Sequence, residues 1–130
     1  MFINNNLIDY VVRTHRMVTL SACESELVTL CDCAASVKYY VDLLSELGFS
    51  TTVTLKVYCD NQATIALVKG EGNRRLRSRH FAIKAQFVRE LIQDEVLDVL
   101  YVPTAQNVAD LWTKALAEEP FSRFRDQMVQ

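Results

Sequence analysis

Three carboxylates spread over more than eighty residues are the side chains of this sequence best placed to do chemistry: Glu26, Asp60 and Asp110. Asp60 stands within VTLKVYCDNQATIAL, residues 53–67, where Val53, Leu55, Val57 and Cys59 alternate with Thr54, Lys56, Tyr58 and Asp60. That period predicts a strand over 53–60 with one fully buried face. Asn61 and Gln62 then make a polar turn, and Ala63, Ile65, Ala66 and Leu67 read as a short helix. A carboxylate at the carboxyl end of a core strand lies where open α/β sheets place their ligands. Capping the helix that follows is the simpler job for the same residue. Glu26 sits beside Leu27 on a long helical pattern, at the rim of the apolar stripe, where a carboxylate is either partly buried at a cost or meets a cation. Asp110 falls three residues after Asn107, a good N-cap, in the first turn of a helix whose positive end favours a carboxylate. Gathered in one cleft, such acids would repel each other and hold a divalent metal; hard cations such as magnesium take oxygen ligands and keep several waters.

A second feature adds a partner. Between residues 69 and 84, Lys69, Arg74, Arg75, Arg77, Arg79 and Lys84 stand against Glu71 alone, a local balance of +5 in a chain of net charge −2. A concentrated basic stretch in an otherwise acidic chain suggests a docking surface for a polyanion; a solvated charged loop is the plainer alternative.

The elements that must position these residues follow in order. Residues 7–12 read as a strand and 13–16 as a polar turn; 18–20 continue extended into a helix start. Ser21 and Glu24 form S-x-x-E, a capping box. Leu27, Leu30, Cys31, Ala34, Val37, Val41, Leu44 and Leu47 then recur every three or four residues, which predicts a helix over 22–47 that Gly48 stops. After the 53–60 strand and its helix, Gly70 and Gly72 break the chain. A helix is expected over 79–93 with Ile83, Phe87, Val88 and Leu91 inward, a strand over 96–102 that Pro103 closes, and a helix over 108–116. Pro120 separates a last amphipathic helix, 121–129, with Phe121, Phe124 and Met128 on one face. The order is β-α-β-α-α-β-α-α, an α/β layer.

At 130 residues, half apolar and 23% charged, the chain has the length and composition of one globular domain, 1–130. No apolar run approaches the roughly 18 residues of a membrane span, and the start lacks the basic-then-apolar pattern of an export signal. Cys23, Cys31, Cys33 and Cys59 have no zinc-site spacing. They read as buried thiols in a reducing compartment, so the expected location is intracellular, cytoplasmic or nuclear, with no membrane partner.

Four blocks, VTLSACESELVTL, VYCDNQATIALVKG, RSRHFAIKAQFVREL and YVPTAQNVADLWTKAL, in this order and at these separations, resemble the ribonuclease H domain of copia-type LTR retrotransposon polyproteins over about residues 8–126. The resemblance implies an α/β ribonuclease H-like fold, a mixed five-stranded sheet flanked by helices. It implies an endonuclease that hydrolyses the RNA strand of an RNA–DNA hybrid with two magnesium ions, manganese substituting, next to a reverse transcriptase domain in a longer polyprotein. Matched by motif, Glu26 is the helix-borne catalytic glutamate (the second acid of ESE), Asp60 the aspartate at the end of the fourth strand, and Asp110 of NVAD the last acid. Two metals roughly 3.5–4 Å apart would clamp the attacking water and the leaving oxygen, with Asp60 contacting both and Glu26 and Asp110 holding the two sides. Asn61 and Gln62 would meet the 2′-hydroxyls that mark RNA. Arg75, Arg77, Arg79 and Lys84 would track phosphates, with His80 phosphate-contacting or structural.

The resemblance also departs from its pattern. The family domain opens with a hairpin whose first strand carries a fourth carboxylate, an aspartate, and IDYVVRTHRMVTL aligns with the third strand instead. The expectation is therefore a sheet missing its first two strands and one metal ligand. Residues 7–12 could lie beside the 53–60 strand through a right-handed crossover and bring Asp9 to the cluster. The alternative function is an inactive remnant that binds nucleic acid or another protein, the open sheet edge inviting pairing. An integrase- or resolvase-type role fits less well, because those relatives place their last acid elsewhere.

Overall fold

The longest element begins where the S-x-x-E pattern places it. The Glu24 N–H donates to Ser21 Oγ at 3.2 Å, and the helix runs until Gly48, at φ +83°, turns the chain through the left-handed region. The structure is a computed structural model that describes residues 1–3, 6–12, 21–50, 52–71, 78–113 and 115–128. In chain order its elements are β1 (Phe2–Ile3), β2 (Asn6–Leu7), α1 (Ala22–Glu46), β3 (Leu55–Cys59), α2 (Gln62–Lys69), α3 (Arg79–Gln93), β4 (Leu97–Tyr101), a 3₁₀ turn (Thr104–Gln106), α4 (Asp110–Thr113) and α5 (Glu118–Met128). They fall into two compact units, Met17–Val102 and a second made of Met1–Arg16 with Pro103–Gln130.

In the Met17–Val102 unit, β3 and β4 pair in parallel, from Leu55 opposite Leu97 to Cys59 opposite Tyr101. Parallel neighbours cannot be joined by a hairpin, and α2 and α3 make the crossover. Helix α1 packs on α3, α2 and β3, while α2 and α3 pack on each other and on β4. Leu27, Val68, Val88, Leu97 and Val99 are fully buried at the centre of these contacts. Among the described residues no helix is long and apolar enough to cross a membrane.

The fold is α/β, mostly helical, with a smaller sheet than expected. The 53–60 strand shortens to Leu55–Cys59, and its buried face reduces to Val57 and Cys59; Leu55 is 36% and Val53 74% exposed. The reason is register. Leu55 meets the first residue of β4, so Val53 projects past the ladder. Nor do residues 7–12 form a strand beside β3. Strand β2 stops at Leu7 and pairs antiparallel with β1, residues 8–12 are irregular, and β4 is the only ladder partner of β3 among the described residues.

The helices keep their places with altered faces. Helix α1 buries Leu27, Leu30, Ala34 and Val37 as expected, but Val41 and Leu44 are only half-buried and Leu47 is 64% exposed. At 1.5 Å per residue α1 is roughly 15 Å longer than α3, and among the described residues its last turns have no helix of equal length to cover them. Helix α3 has the expected bounds but buries Phe81, Ala85, Val88 and Leu91, leaving Ile83 61% exposed and Phe87 half-buried. Ile83 lies two residues from Phe81, about 200° around the helix.

In the other unit, the helix expected over 108–116 is only Asp110–Thr113. Asn107 does act at its start, its Oδ1 accepting the Ala109 N–H at 3.2 Å. The N–H groups of Asp110, Leu111 and Trp112 donate three residues back, a tighter winding that rarely persists. Helix α5 starts earlier than expected, and Pro120 lies inside its first turn rather than before it. A proline is tolerated there because the first N–H groups of a helix have no intrahelical acceptor. Phe124 is buried, Phe121 is exposed, and Tyr10 stacks on Trp112 with centroids 4.5 Å apart.

Candidate metal centre

The end of β3 assigns two jobs to two adjacent residues. The Thr64 N–H donates to Asn61 Oδ1 at 3.1 Å, so Asn61 is the N-cap of α2. Asp60, one residue earlier and half-buried, is not the cap. The simpler job for Asp60 thus falls to its neighbour.

A second set of bonds ties the start of α1 to α2. The fully buried Thr64 hydroxyl donates to the Cys23 carbonyl at 3.2 Å, with Cys23 Sγ at 3.4 Å. The Ser21 cap fixes where α1 begins, and Glu26 follows on its next turn. As a result Glu26, Cys59 and Asp60 each offer a ligand atom within 4.8 Å of the others. Glu26 and Asp60 are half-buried and Cys59 is buried. Two carboxylates from separate elements at this spacing suit a divalent cation, whose charge offsets their repulsion.

Cys59 is a member of this group that the residue pattern did not reveal. In an ideal strand Cys59 and Asp60 point to opposite faces. Here the ladder ends at Cys59 and the chain bends at Asp60, so both side chains reach the same place. Burial pushes the Cys59 thiol above its ordinary range; its contact with the Asn61 carbonyl at 3.8 Å pulls the other way, and the Glu26 and Asp60 carboxylates push it up again. At neutral pH it is a neutral thiol unless a cation displaces its proton.

The other expected site residues distribute as follows. Asp110, in the second unit, is the first residue of α4 rather than its third and is 8% exposed. Gln62 is exposed as the first residue of α2. Arg79 and His80 are exposed in the first turn of α3, which contains no acidic residue. The His80 ring meets the Phe81 ring edge-on at 5.9 Å. Lys84 is half-buried and close enough to Cys31 to oppose the upward push of burial on that thiol. Arg75 and Arg77 lie outside the described residues. Lys69 of the basic stretch is committed to the fold, its ammonium 3.0 Å from Asp98 on β4.

Comparison with known proteins gives a relationship to one class. No protein-family profile matches the chain, and no solved structure matches it. It is similar to the retrovirus-related Pol polyprotein from transposon TNT 1-94 of Nicotiana tabacum, 30% identical over 114 residues, which are 88% of this chain and 8% of that protein. It is also similar to the retrovirus-related Pol polyprotein from transposon RE1 of Arabidopsis thaliana, 27% identical over 128 residues, 98% of this chain and 9% of that protein. The Ty1-DR5 Gag-Pol polyprotein of Saccharomyces cerevisiae is 25% identical over 109 residues, 84% of this chain and 6% of that protein. The chain is a distant homologue of copia-type retrotransposon Pol polyproteins and spans less than a tenth of their length.

Proposed function

We propose that this chain is a ribonuclease H-type domain of a copia-type retrotransposon polyprotein, with Glu26 and Asp60 at the heart of a magnesium site that hydrolyses the RNA strand of RNA–DNA hybrids. The observation that carries this reading is the meeting of Glu26, from α1, with Asp60, at the end of β3, within 4.8 Å, while Asn61 takes the capping role. By its NVAD motif, Asp110 is the last acid that the resemblance implies. Bound magnesium would activate the attacking water and neutralise charge on the leaving oxygen. The chain's own part is to hold carboxylates in a fixed arrangement, so that little reorganisation is needed during the reaction.

Substrate selection belongs to the residues after Asp60. Asn61 uses its Oδ1 on the helix, so the hydrogen bond it offers a 2′-hydroxyl is a donation from its amide nitrogen. Gln62, exposed beside it, can donate and accept. Arg79 and His80 add side-chain charge and donors to the positive end of α3, a place suited to phosphate; Lys84, Arg75 and Arg77 complete the proposed track.

Magnesium-dependent cleavage of a labelled RNA–DNA hybrid is expected, with Asp60→Asn or Glu26→Gln lowering the rate by about a hundredfold or more. Absence of cleavage at every magnesium and manganese concentration would reject the catalytic reading. The basic, acid-free first turn of α3 favours a second one, a non-catalytic module that binds hybrids. It predicts salt-sensitive binding weakened by Arg75→Ala and Arg77→Ala, with turnover no faster than buffer.

A further inference from the structure

We propose that Glu26, Cys59 and Asp60 also form a mixed thiolate–carboxylate site for zinc, and that zinc bound there excludes magnesium and switches hydrolysis off. The binding half stands on the donor set alone; the inhibition half rests on the ribonuclease reading above.

The donors differ in kind. Magnesium takes oxygen ligands and keeps its waters, so it has no use for Cys59. Zinc takes cysteine sulfur at about 2.3 Å and carboxylate oxygen at about 2.0–2.2 Å, tetrahedrally. Two such ligands on one ion lie roughly 3.5 Å apart, and the three ligand atoms here lie within 4.8 Å of one another, so closure requires about an ångström of side-chain adjustment. The three come from α1, the end of β3 and the bend after it, and the Thr64–Cys23 hydrogen bond ties α1 to α2, the helix that begins just past that bend. Cys59 gives up only a long contact to the Asn61 carbonyl at 3.8 Å. In the binding step a zinc–sulfur bond forms as the S–H bond breaks, the proton passes to solvent, and no electron changes hands. Three protein donors leave a fourth position for water.

The test uses the full chain under a non-thiol reductant, with cobalt(II) as a coloured stand-in for zinc. One equivalent of cobalt is expected to give a sulfur-to-cobalt charge-transfer band that zinc bleaches. Cys59→Ser should remove the band and weaken zinc about tenfold or more, Asp60→Asn should weaken zinc to a similar degree, and Cys33→Ser should change neither. A measurement on the unsubstituted chain avoids any folding defect: zinc, but not magnesium, should protect Cys59 from alkylation, read by peptide mass spectrometry. Equal alkylation of Cys59 with and without zinc, or a cobalt band that survives Cys59→Ser, would overturn the site. Zinc protection in a chain that never cleaves hybrid keeps the zinc site and removes the ribonuclease reading. Magnesium-driven cleavage that zinc neither inhibits nor accompanies with protection keeps that reading and removes this one.

Discussion

Adjacent residues at the end of β3 can be separated by experiment because they do different work. Asn61 stabilises the fold by accepting the Thr64 N–H, so Asn61→Ala should lower unfolding free energy by about 1 kcal/mol, with or without magnesium. Asp60→Asn leaves that cap in place. Its expected effect is on linkage: magnesium should raise the melting temperature of the native chain and leave the variant where it was. A ligand at a hundredfold excess over its Kd adds about 2.7 kcal/mol, well above the error of a thermal scan. An equal magnesium shift in both proteins would take Asp60 out of the metal site. At this scale Glu26 and Asp60 were legible as acids that meet, but the cap was not, because the strand-to-helix pattern offered Asp60 for a role that Asn61 takes. Nor was Cys59, since its membership depends on where the ladder stops, and that is set by β4 some forty residues later.

Helix α2 shows how an element is held by a residue outside it. Its last turn exposes carbonyls, and Arg89 of α3 donates to two of them, from Nη2 to Leu67 at 2.8 Å and from Nε to Val68 at 3.4 Å. Gly70, at φ +76°, ends the helix in the left-handed conformation beside that guanidinium. Arg89→Met keeps the apolar stem but loses a cation at the negative end of α2, and should cost about 1.5 kcal/mol in a urea titration with unchanged slope. A loss below a few tenths of a kcal/mol would mean that water replaces the guanidinium at no penalty. The start and stop signals Ser21, Gly48 and Gly70 were readable because capping is local. The inward face of α3 was readable only in part: Val88 and Leu91 are buried as expected, but Phe81 and Ala85 take the places expected of Ile83 and Phe87, a choice that packing on α1 and α2 decides. The turn at Glu95, a non-glycine at φ +56°, has no sequence signal either.

Across the whole chain, the thiols connect burial to pH. Burial pushes the Cys33 thiol upward; at Cys31 burial again dominates, partly opposed by Lys84 and reinforced by Asp32. In the unfolded chain both would ionise near their ordinary value of about 8.5. Between that value and the higher native ones the folded protein holds more protons than the unfolded one, so stability falls as pH rises. Below about pH 8 both states keep their thiol protons and these groups contribute no slope. From sequence these cysteines were expected to be buried, whereas both are only half-buried, and the sign of their effect needed the structure, because a nearby lysine on the wrong side of the balance would have reversed it. The expected outcome is a urea midpoint under reducing conditions that declines from pH 8 to pH 10. A Cys31→Ser, Cys33→Ser double variant, with nothing to ionise at those positions, should decline less over the same interval. Parallel profiles for the two proteins would show that tyrosines and lysines, rather than these thiols, set the alkaline limit.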